Sequence, residues 1–471
     1  RIIIIFLIMY MIITSFSISI VRAGLMYIFG LINKYYFKKL FSSSDVISTL
    51  FILILLINPY YAYNTGFILS FMVSFVIVLL SPLVKNESNS YQIFIISLIS
   101  NLVTLPIIIN INYEYNILTP LLNVLYINLV SSFILPFGFI VLVLPILSLA
   151  YDFIINSFLK LISFTSNINL VIHLPYFNSI ALLIYYSLIL LIILFINNKR
   201  KKNICYITLF MFLIISSFFG YIKINPEINF LYLNDGDSTV IRYLNQVIVV
   251  DTGDGYNDEV LNYLKSIGVR KIDYLIITHC HDDHYGGSNK IIDEIDVKKV
   301  ITSIYYNYNY DNQIKVNYRD NIKLKGMELY FLSPINKSNN ENDNSLVFLL
   351  TIKNKRILFT ADATIQVEED IINELKRIDI NSIDIIKVAH HGSNSSTGNE
   401  LLSYLKIDYA VIMAGKMRKL THPSSETIER LNNYNIIYYN TVNDYSITLK
   451  IKNNGIYFNT LNSLKYLSFN V

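Results

Sequence analysis

The sequence has no tryptophan and only two cysteines, Cys205 and Cys280, in 471 residues. Two cysteines make no disulfide framework, and one of them, Cys280, sits inside a histidine cluster. Charge is also scarce. Asp, Glu, Lys and Arg make up 15% of the chain, against about 25% in an ordinary soluble domain. The scarcity is uneven. Residues 1–222 hold four acids, Asp45, Glu87, Glu114 and Asp152, and the other 30 of the 34 lie beyond. A mean hydropathy of +0.45 excludes intrinsic disorder. The net charge of +4 advertises no broad nucleic-acid surface. A GxxxxGK(S/T) phosphate loop is absent, so any motor for this chain is a separate protein. The first residue is Arg1 rather than Met, so a truncated N-terminus is expected.

What is present divides the chain into an apolar region, 1–222, and a soluble region, 223–471. A bilayer core of about 30 Å takes about 20 helical residues. Runs near 2–30, 46–62, 66–84, 92–111, 118–149, 153–172, 179–197 and 204–222 approach or exceed that length. The run 118–149 is interrupted by Pro120, Pro136, Gly138 and Pro145. It suits either two spans or a broken helix lining a cavity. Basic clusters at Lys34, Lys38 and Lys39 and at Lys199, Arg200, Lys201 and Lys202 belong on the cytoplasmic side. The run 204–222 then carries the chain out, placing the soluble region outside the cytoplasm. A helix 204–222 lying in the membrane plane before a cytosolic domain is the alternative. Arg22 lies within an apolar run, where an ionisable side chain marks either a functional position such as a contact to a polyanion in a pore or a helix end at the interface.

Beyond residue 225 the pattern changes to short β-rich runs. Strands are expected at 228–233, 239–243, 246–250, 272–277, 345–352, 356–360, 383–388, 409–413 and 436–440. Helices are expected at 257–266, 366–376 and 424–432. Hairpin-rich sections followed by βα units predict an α/β sandwich with helices outside. The chemistry gathers in THCHDDHYGG at 278–287, directly after an apolar strand. His279, His281, Asp283 and His284 so close together would repel when protonated, and a divalent metal is the usual reason to collect them. Asp362, His390, His391 and His422 each follow a strand or precede a helix, where further ligands are expected. Asp251 ends a strand and reads as a residue that orients a ligand histidine. Tyr305, Tyr306, Tyr308 and Tyr310 read as a tyrosine-rich strand edge rather than a base-stacking surface.

These motifs, with SISIVRAGLM (17–26), INPYYAYNTGFILSF (57–71), LVTLP (102–106), TPLLNVLYINLV (119–130), NSLVFLL, VAHHGS and THP, resemble the ComEC family of DNA-internalisation competence proteins. The resemblance covers nearly the whole chain. It implies a polytopic α-helical membrane domain followed by a metallo-β-lactamase-like αββα sandwich. It implies a channel for single-stranded DNA in the plasma membrane, with an extracytoplasmic nuclease domain that degrades the strand not imported. Implied partners are single-stranded DNA, membrane lipid, an outer DNA receptor and a cytoplasmic ATPase, with oligomerisation left open.

Carried over residue by residue, the metal ligands are His279, His281, Asp283, His284, Asp362 and His390, for one or two Mn or Zn ions, with Asp362 bridging. Asp283, His391 and His422 are the catalytic candidates. Asp237, Ser238 and Ser393 are the candidates for substrate contact, and Arg22 for the channel. Two departures stand out. LNDGDS at 233–238 replaces the family's VGQGDS, and Asn344–Ser345 lies in the interval where the broader fold carries a third-motif histidine. The second departure leaves room for a metal-binding docking module without turnover. A membrane-anchored hydrolase of thioesters, lactams or lactones is a third reading, against which the polytopic region argues.

Overall fold

Apolar runs bounded by capping residues set the helices of the first region. Ser42 caps its helix with a full capping box to Asp45, and Asn64 and Ser88 accept from backbone N–H groups at the next starts. The structure is a computed structural model that describes residues 2–168, 170–195, 199–219, 223–308, 310–419 and 421–460. The tails of the expected runs 179–197 and 204–222, residue 169 of the run 153–172, and the expected region boundary at residue 222 lie outside the described residues. The chain forms two compact units, one spanning residues 1–214 and one beginning at Ile215.

The first unit holds α1 (Ile2–Ile13), α2 (Ile18–Tyr35), α3 (Ser43–Ile57), α4 (Thr65–Val84), α5 (Asn89–Asn112), α6 (Thr119–Leu129), α7 (Leu135–Val143), α8 (Ser148–Ser166), α9 (Ser179–Leu194) and the larger part of α10 (Lys199–Phe219). Two short strands, β1 (Glu114–Asn116) and β2 (Val171–His173), pair antiparallel. The run 2–30, continuous in hydropathy, is broken at Ser15 and Phe16, both at positive φ. The run 118–149 becomes α6 and α7 joined by a π-helical turn, Val130–Ile134. Pro136, just after it, cannot donate to the helix ladder. Among the described residues, four stretches have the length and apolarity to cross a membrane: Thr65–Pro82, Asn89–Asn112, Thr119–Val143 and Pro145–Ser166.

Several polar groups among these helices are satisfied by side chains of other helices. Pro106 inside α5 has no N–H, so the Leu102 carbonyl four residues earlier loses its donor. Tyr185 Oη donates to that carbonyl at 2.6 Å, and Tyr186 Oη donates to Val103 O at 3.2 Å. Asn110 pairs both its amide groups with the Phe177 backbone. Arg22 on α2 donates from Nε to Ser70 Oγ on α4 at 2.7 Å.

The second unit is a sandwich. Its first strands are β3 (Glu227–Phe230), β4 (Thr239–Tyr243), β5 (Gln246–Val250), β6 (Lys271–Ile272), β7 (Tyr274–Ile276), β8 (Asp296–Val297), β9 (Val300–Ser303) and β10 (Gln313–Val316). They continue with β11 (Asn321–Leu324), β12 (Met327–Ser333), β13 (Val347–Ile352), β14 (Lys355–Phe359), β15 (Ser382–Lys387), β16 (Lys406–Ile412), β17 (Ile437–Asn440), β18 (Ile447–Lys452) and β19 (Gly455–Thr460). One sheet runs β10-β9-β7-β5-β4-β3-β18-β19 and the other β11-β12-β13-β14-β15-β16-β17. The tight β4–β5 and β13–β14 hairpins turn at Leu244–Asn245 and Lys353–Asn354, all at positive φ, as turns that match strand twist require.

Period-2 alternation divides each strand between two cores. Phe348, Leu350 and Phe359 face Phe230, Ile241 and Ile248 between the sheets. Val347, Leu349 and Leu358 face outward onto the helices Ile365–Arg377, Asn399–Tyr404 and Ser425–Asn433. On the other outer face, Val247, Val249 and Leu275 pack against Leu261 and Leu264 of the helix Glu259–Ser266. The tyrosines at 305–310 lie on the loop between β9 and β10 instead of a strand edge. Tyr305 and Tyr306 tie that loop to the carbonyls of Ile335 and Glu341.

Candidate metal centre

Both sheets end their parallel strands on one side, and the chemistry starts there. Asp251 follows β5, the THCHDDH loop follows β7, Asp362 follows β14, and His390 and His391 follow β15. Asp251, Ala361, His390 and His391 all have positive φ. Such backbone in non-glycine residues costs about 1–3 kcal/mol each and clusters where the fold over-determines a site. The turn at 233–238 packs directly on the ligand loop. A Cβ on Gly236 (φ +83°) would stand 1.6 Å from Asp283 O, so only glycine fits.

One donor atom from each of Asp283, His284, Asp362 and His391 lies within 4.8 Å of every other. His284 Nε2 is 3.3 Å from Asp362 Oδ1 and 3.7 Å from Asp283 Oδ2. His391 Nε2 is 3.2 Å from Asp283 Oδ2 and 3.5 Å from Asp362 Oδ2. His284 and His391 are fully buried and Asp362 is 1% exposed. Buried polar atoms are normally paired, yet His284 Nε2 and Asp362 Oδ1 make no hydrogen bond. Two imidazoles and two carboxylates with inward lone pairs left over are a donor set that fits a divalent cation.

Each histidine is oriented from behind. Asp251 accepts from Thr278 N and Thr278 Oγ1, both at 2.8 Å, and lies 2.9 Å from His284 Nδ1. Asp237 Oδ1 and Met413 O both lie 3.1 Å from His391 Nδ1. The other Asp237 oxygen pairs with the buried Lys387 ammonium. Burial alone would keep these histidines neutral. Asp362 and Asp251 nevertheless hold His284 well above its usual range, and Asp362 and Asp237 push His391 up to about 9. Burial opposes charge on Asp283 and Asp362 as well, but contacts with His391 and His284 hold both carboxyls below their usual range. Both shifts favour protonated rings, and these protons are what a bound metal ion would displace to reach the Nε2 lone pairs.

The other expected residues fall around this set. His279 is buried, with Nε2 3.2 Å from His281 Nδ1 and 3.9 Å from Asp362 Oδ2. His390 Nε2 is 3.8 Å from the same oxygen, with its side chain 24% exposed. The sequence reading took His390 as the ligand and His391 as a catalytic group, whereas the four-residue set contains His391. Asp237 and Ser238, expected to face substrate, are both buried, and Asp237 serves His391. Ser393 bonds Ser395, which lies 3.5 Å from His390 Nδ1. The His422 ring is 6.3 Å from each of the His390 and His391 rings. Asn344 is buried and bonds the Ser338 backbone, so it closes a loop. Sequence reasoning passed over Lys387 and Arg418. A lysine ending the apolar strand SIDIIK was the available signal for Lys387.

Comparison with known proteins agrees with both regions. Residues 1–199 match the family described as competence protein, and residues 231–330 match the metallo-beta-lactamase superfamily. The chain joins a competence-protein region to a metallo-β-lactamase region. It is 25% identical to ComE operon protein 3 of Bacillus subtilis over 95% of this chain and 63% of that protein. It is 28% identical to Recombination protein 2 of Haemophilus influenzae over 46% of this chain and 27% of that one. The chain thus spans less than two thirds of these relatives' length. Among solved structures, the metallo-beta-lactamase fold protein YhfI from Bacillus subtilis aligns with 48% of this chain and 100% of its own, at 10% identity and a TM-score of 0.35. The resemblance to the ComEC family is borne out, and the chain is a membrane protein with an αββα hydrolase-fold unit.

Proposed function

We propose that this ComEC-like chain forms a membrane channel for single-stranded DNA and that its sandwich unit is a metal-dependent phosphodiesterase acting outside the cytoplasm. The observation that carries the reading is the buried set Asp283, His284, Asp362 and His391, with two orphaned donor atoms, on a chain whose other region matches competence proteins. When bound, a divalent ion supplies a water of lowered pKa and charge stabilisation at a phosphoryl oxygen. Asp251 and Asp237 fix the ring orientations of His284 and His391. Ser393 and His422, partly exposed beside His390, are placed to hold a phosphate oxygen or serve the leaving oxygen. Burial and the neighbouring cations depress the His422 pKa, so it is neutral near pH 7. His279, His281 and His390 around Asp362 Oδ2 are the candidates for a second ion, Mn or Zn. Arg22, held by Ser70, is the candidate channel contact. The basic cluster 199–202 supports the outward placement.

The buried, loop-closing Asn344 favours a second reading, a docking module that binds metal without turnover. One experiment separates the two. The full chain in lipid nanodiscs is stripped with chelator and given linear or single-stranded DNA with Mn²⁺, Zn²⁺ or Mg²⁺. Cleavage that needs one of these metals and disappears in a His281→Ala, Asp362→Ala variant is expected. A folded, metal-loaded protein that cuts nothing under any metal contradicts the nuclease.

A further inference from the structure

From the rim of this site we infer that Arg418 is the anion-recognising arm of the sandwich unit, selecting a charged phosphodiester over a neutral substrate; this rests on the phosphodiesterase reading above. Arg418 follows β16, in the loop ahead of His422. Its Nη2 donates to Asp283 Oδ2 and its Nε to Asp235 Oδ1, each at 2.6 Å. A guanidinium has five N–H donors in a fixed fork. These two bonds leave Nη1 without a protein hydrogen bond among the described residues, on a side chain 24% exposed.

The arm is built rather than incidental. Met417 N donates to Asn234 O and Lys416 N to Leu233 O, which lays the loop along the turn 233–238. Gly415 permits that approach, since a Cβ there would stand 2.6 Å from Asp235 Cα. Asp235 is one of the three residues by which this turn departs from VGQGDS. It anchors Arg418, and Asn234 bonds Asp254. The departure and the arginine therefore form one device.

Asp235 and Asp283 fix the guanidinium through Nε and Nη2. An incoming oxyanion can therefore take the unbonded Nη1 edge while both carboxylates keep the fork in place. Paired phosphate oxygens match the fork, whereas a neutral lactam or thioester presents no charge to it. Lys419, exposed on the same loop, extends a basic rim.

The test uses the Mn²⁺-loaded full chain in nanodiscs and two fluorescent single-stranded probes of about 12 nucleotides. One is a cleavage-resistant phosphorothioate and the other a neutral methylphosphonate. Arg418→Ala should weaken phosphorothioate binding by about 10- to 100-fold, and Arg418→Lys by less, because lysine keeps charge without the fork. Metal content, read by mass spectrometry, should be unchanged in both variants, as should methylphosphonate binding. Phosphorothioate affinity within about twofold of the parent in Arg418→Ala overturns the inference. So does a loss that tracks loss of metal in both variants, which would make Arg418 a support for Asp283. If the parent binds through Arg418 yet cleaves no phosphodiester, the hydrolytic reading fails and the arm stands. If it cleaves with a KM indifferent to Arg418, the arm fails and hydrolysis stands.

Discussion

In the helical unit several polar groups find a partner on a neighbouring element, Leu102 O in Tyr185, Arg22 in Ser70 and Asn110 in the Phe177 backbone, and Ser100 Oγ is buried without one. In the sandwich unit, Asp237, Asp251, Asp283, Asp362, His279, His284, His391 and Lys387 crowd one rim, and two of their donor atoms go unanswered. The helical pattern is what an apolar surrounding enforces, since an unpaired polar group there has no water to fall back on. The crowded rim costs stability unless something else occupies it. Tyr185 and Asn110 in the first unit thus serve backbone groups, whereas the rim of the second leaves His284 Nε2 and Asp362 Oδ1 for a ligand.

Asp362→Ala breaks this contrast most sharply, because it removes the one carboxylate that touches His279, His284, His390 and His391. Metal content should fall to background and any hydrolysis below detection, with circular dichroism unchanged. Gly236→Ala comes next. Its Cβ collides with Asp283 O at an unfavourable φ, so about 2–3 kcal/mol of stability and most of the metal affinity should be lost together. Asp251→Asn and Asp237→Asn keep the packing but weaken the orienting contacts. Each should lower metal affinity by about 10- to 100-fold, measured by competition with a chelator.

On the helical side, Tyr185→Phe should cost about 1 kcal/mol in detergent unfolding. The loss should shrink in a Pro106→Ala background, where the helix can supply its own N–H to Leu102 O. A Tyr185→Phe penalty that persists in that background would mean Tyr185 acts through packing. The smallest effect is a pH test away from the site. Glu374 is buried, which opposes its charge, but it accepts from Arg377, Tyr318, Tyr330 and Arg319 and is held down to about 2. A depressed carboxyl stabilises the fold above its unfolded pKa of about 4.3 and loses that contribution as pH falls towards 2. Glu374→Gln should therefore be less stable than the parent near pH 7 and equal to it near pH 2. Circular dichroism is the suitable probe in a chain without tryptophan.

The sandwich was largely legible in sequence where local rules act. The hairpin 239–250, the strands 347–359 and the helices 365–377 and 425–433 follow from alternation, turns and caps. β9, β10 and β11 were missed because they are short and sit among polar loops, whereas seven-residue β12 and the local hairpin β18–β19 lie where alternation was available and went unread. The ligand loop was legible from its residue types alone. The choice between His390 and His391 was not, because φ values of +48° and +53° end strand alternation before the pair begins. Arg418 was hidden because a basic loop residue looks like ordinary surface until Asp235 and Asp283 are brought beside it. Among the helices, the break at 14–17 left no mark in hydropathy, since Ser15 and Phe16 carry it in backbone conformation alone.

The most direct test of the central claim, that Asp283, His284, Asp362 and His391 form one metal site now balanced by protons, is calorimetric titration of the chelated full chain. Zn²⁺ or Mn²⁺ would be added near pH 7 in two buffers of different ionisation enthalpy. With His284 and His391 both held protonated, binding should release about two protons. Affinity should rise with pH up to about 9, the value to which His391 is pushed, and Asp362→Ala should abolish the signal. Binding without proton release, or with equal affinity in Asp362→Ala, would contradict the account.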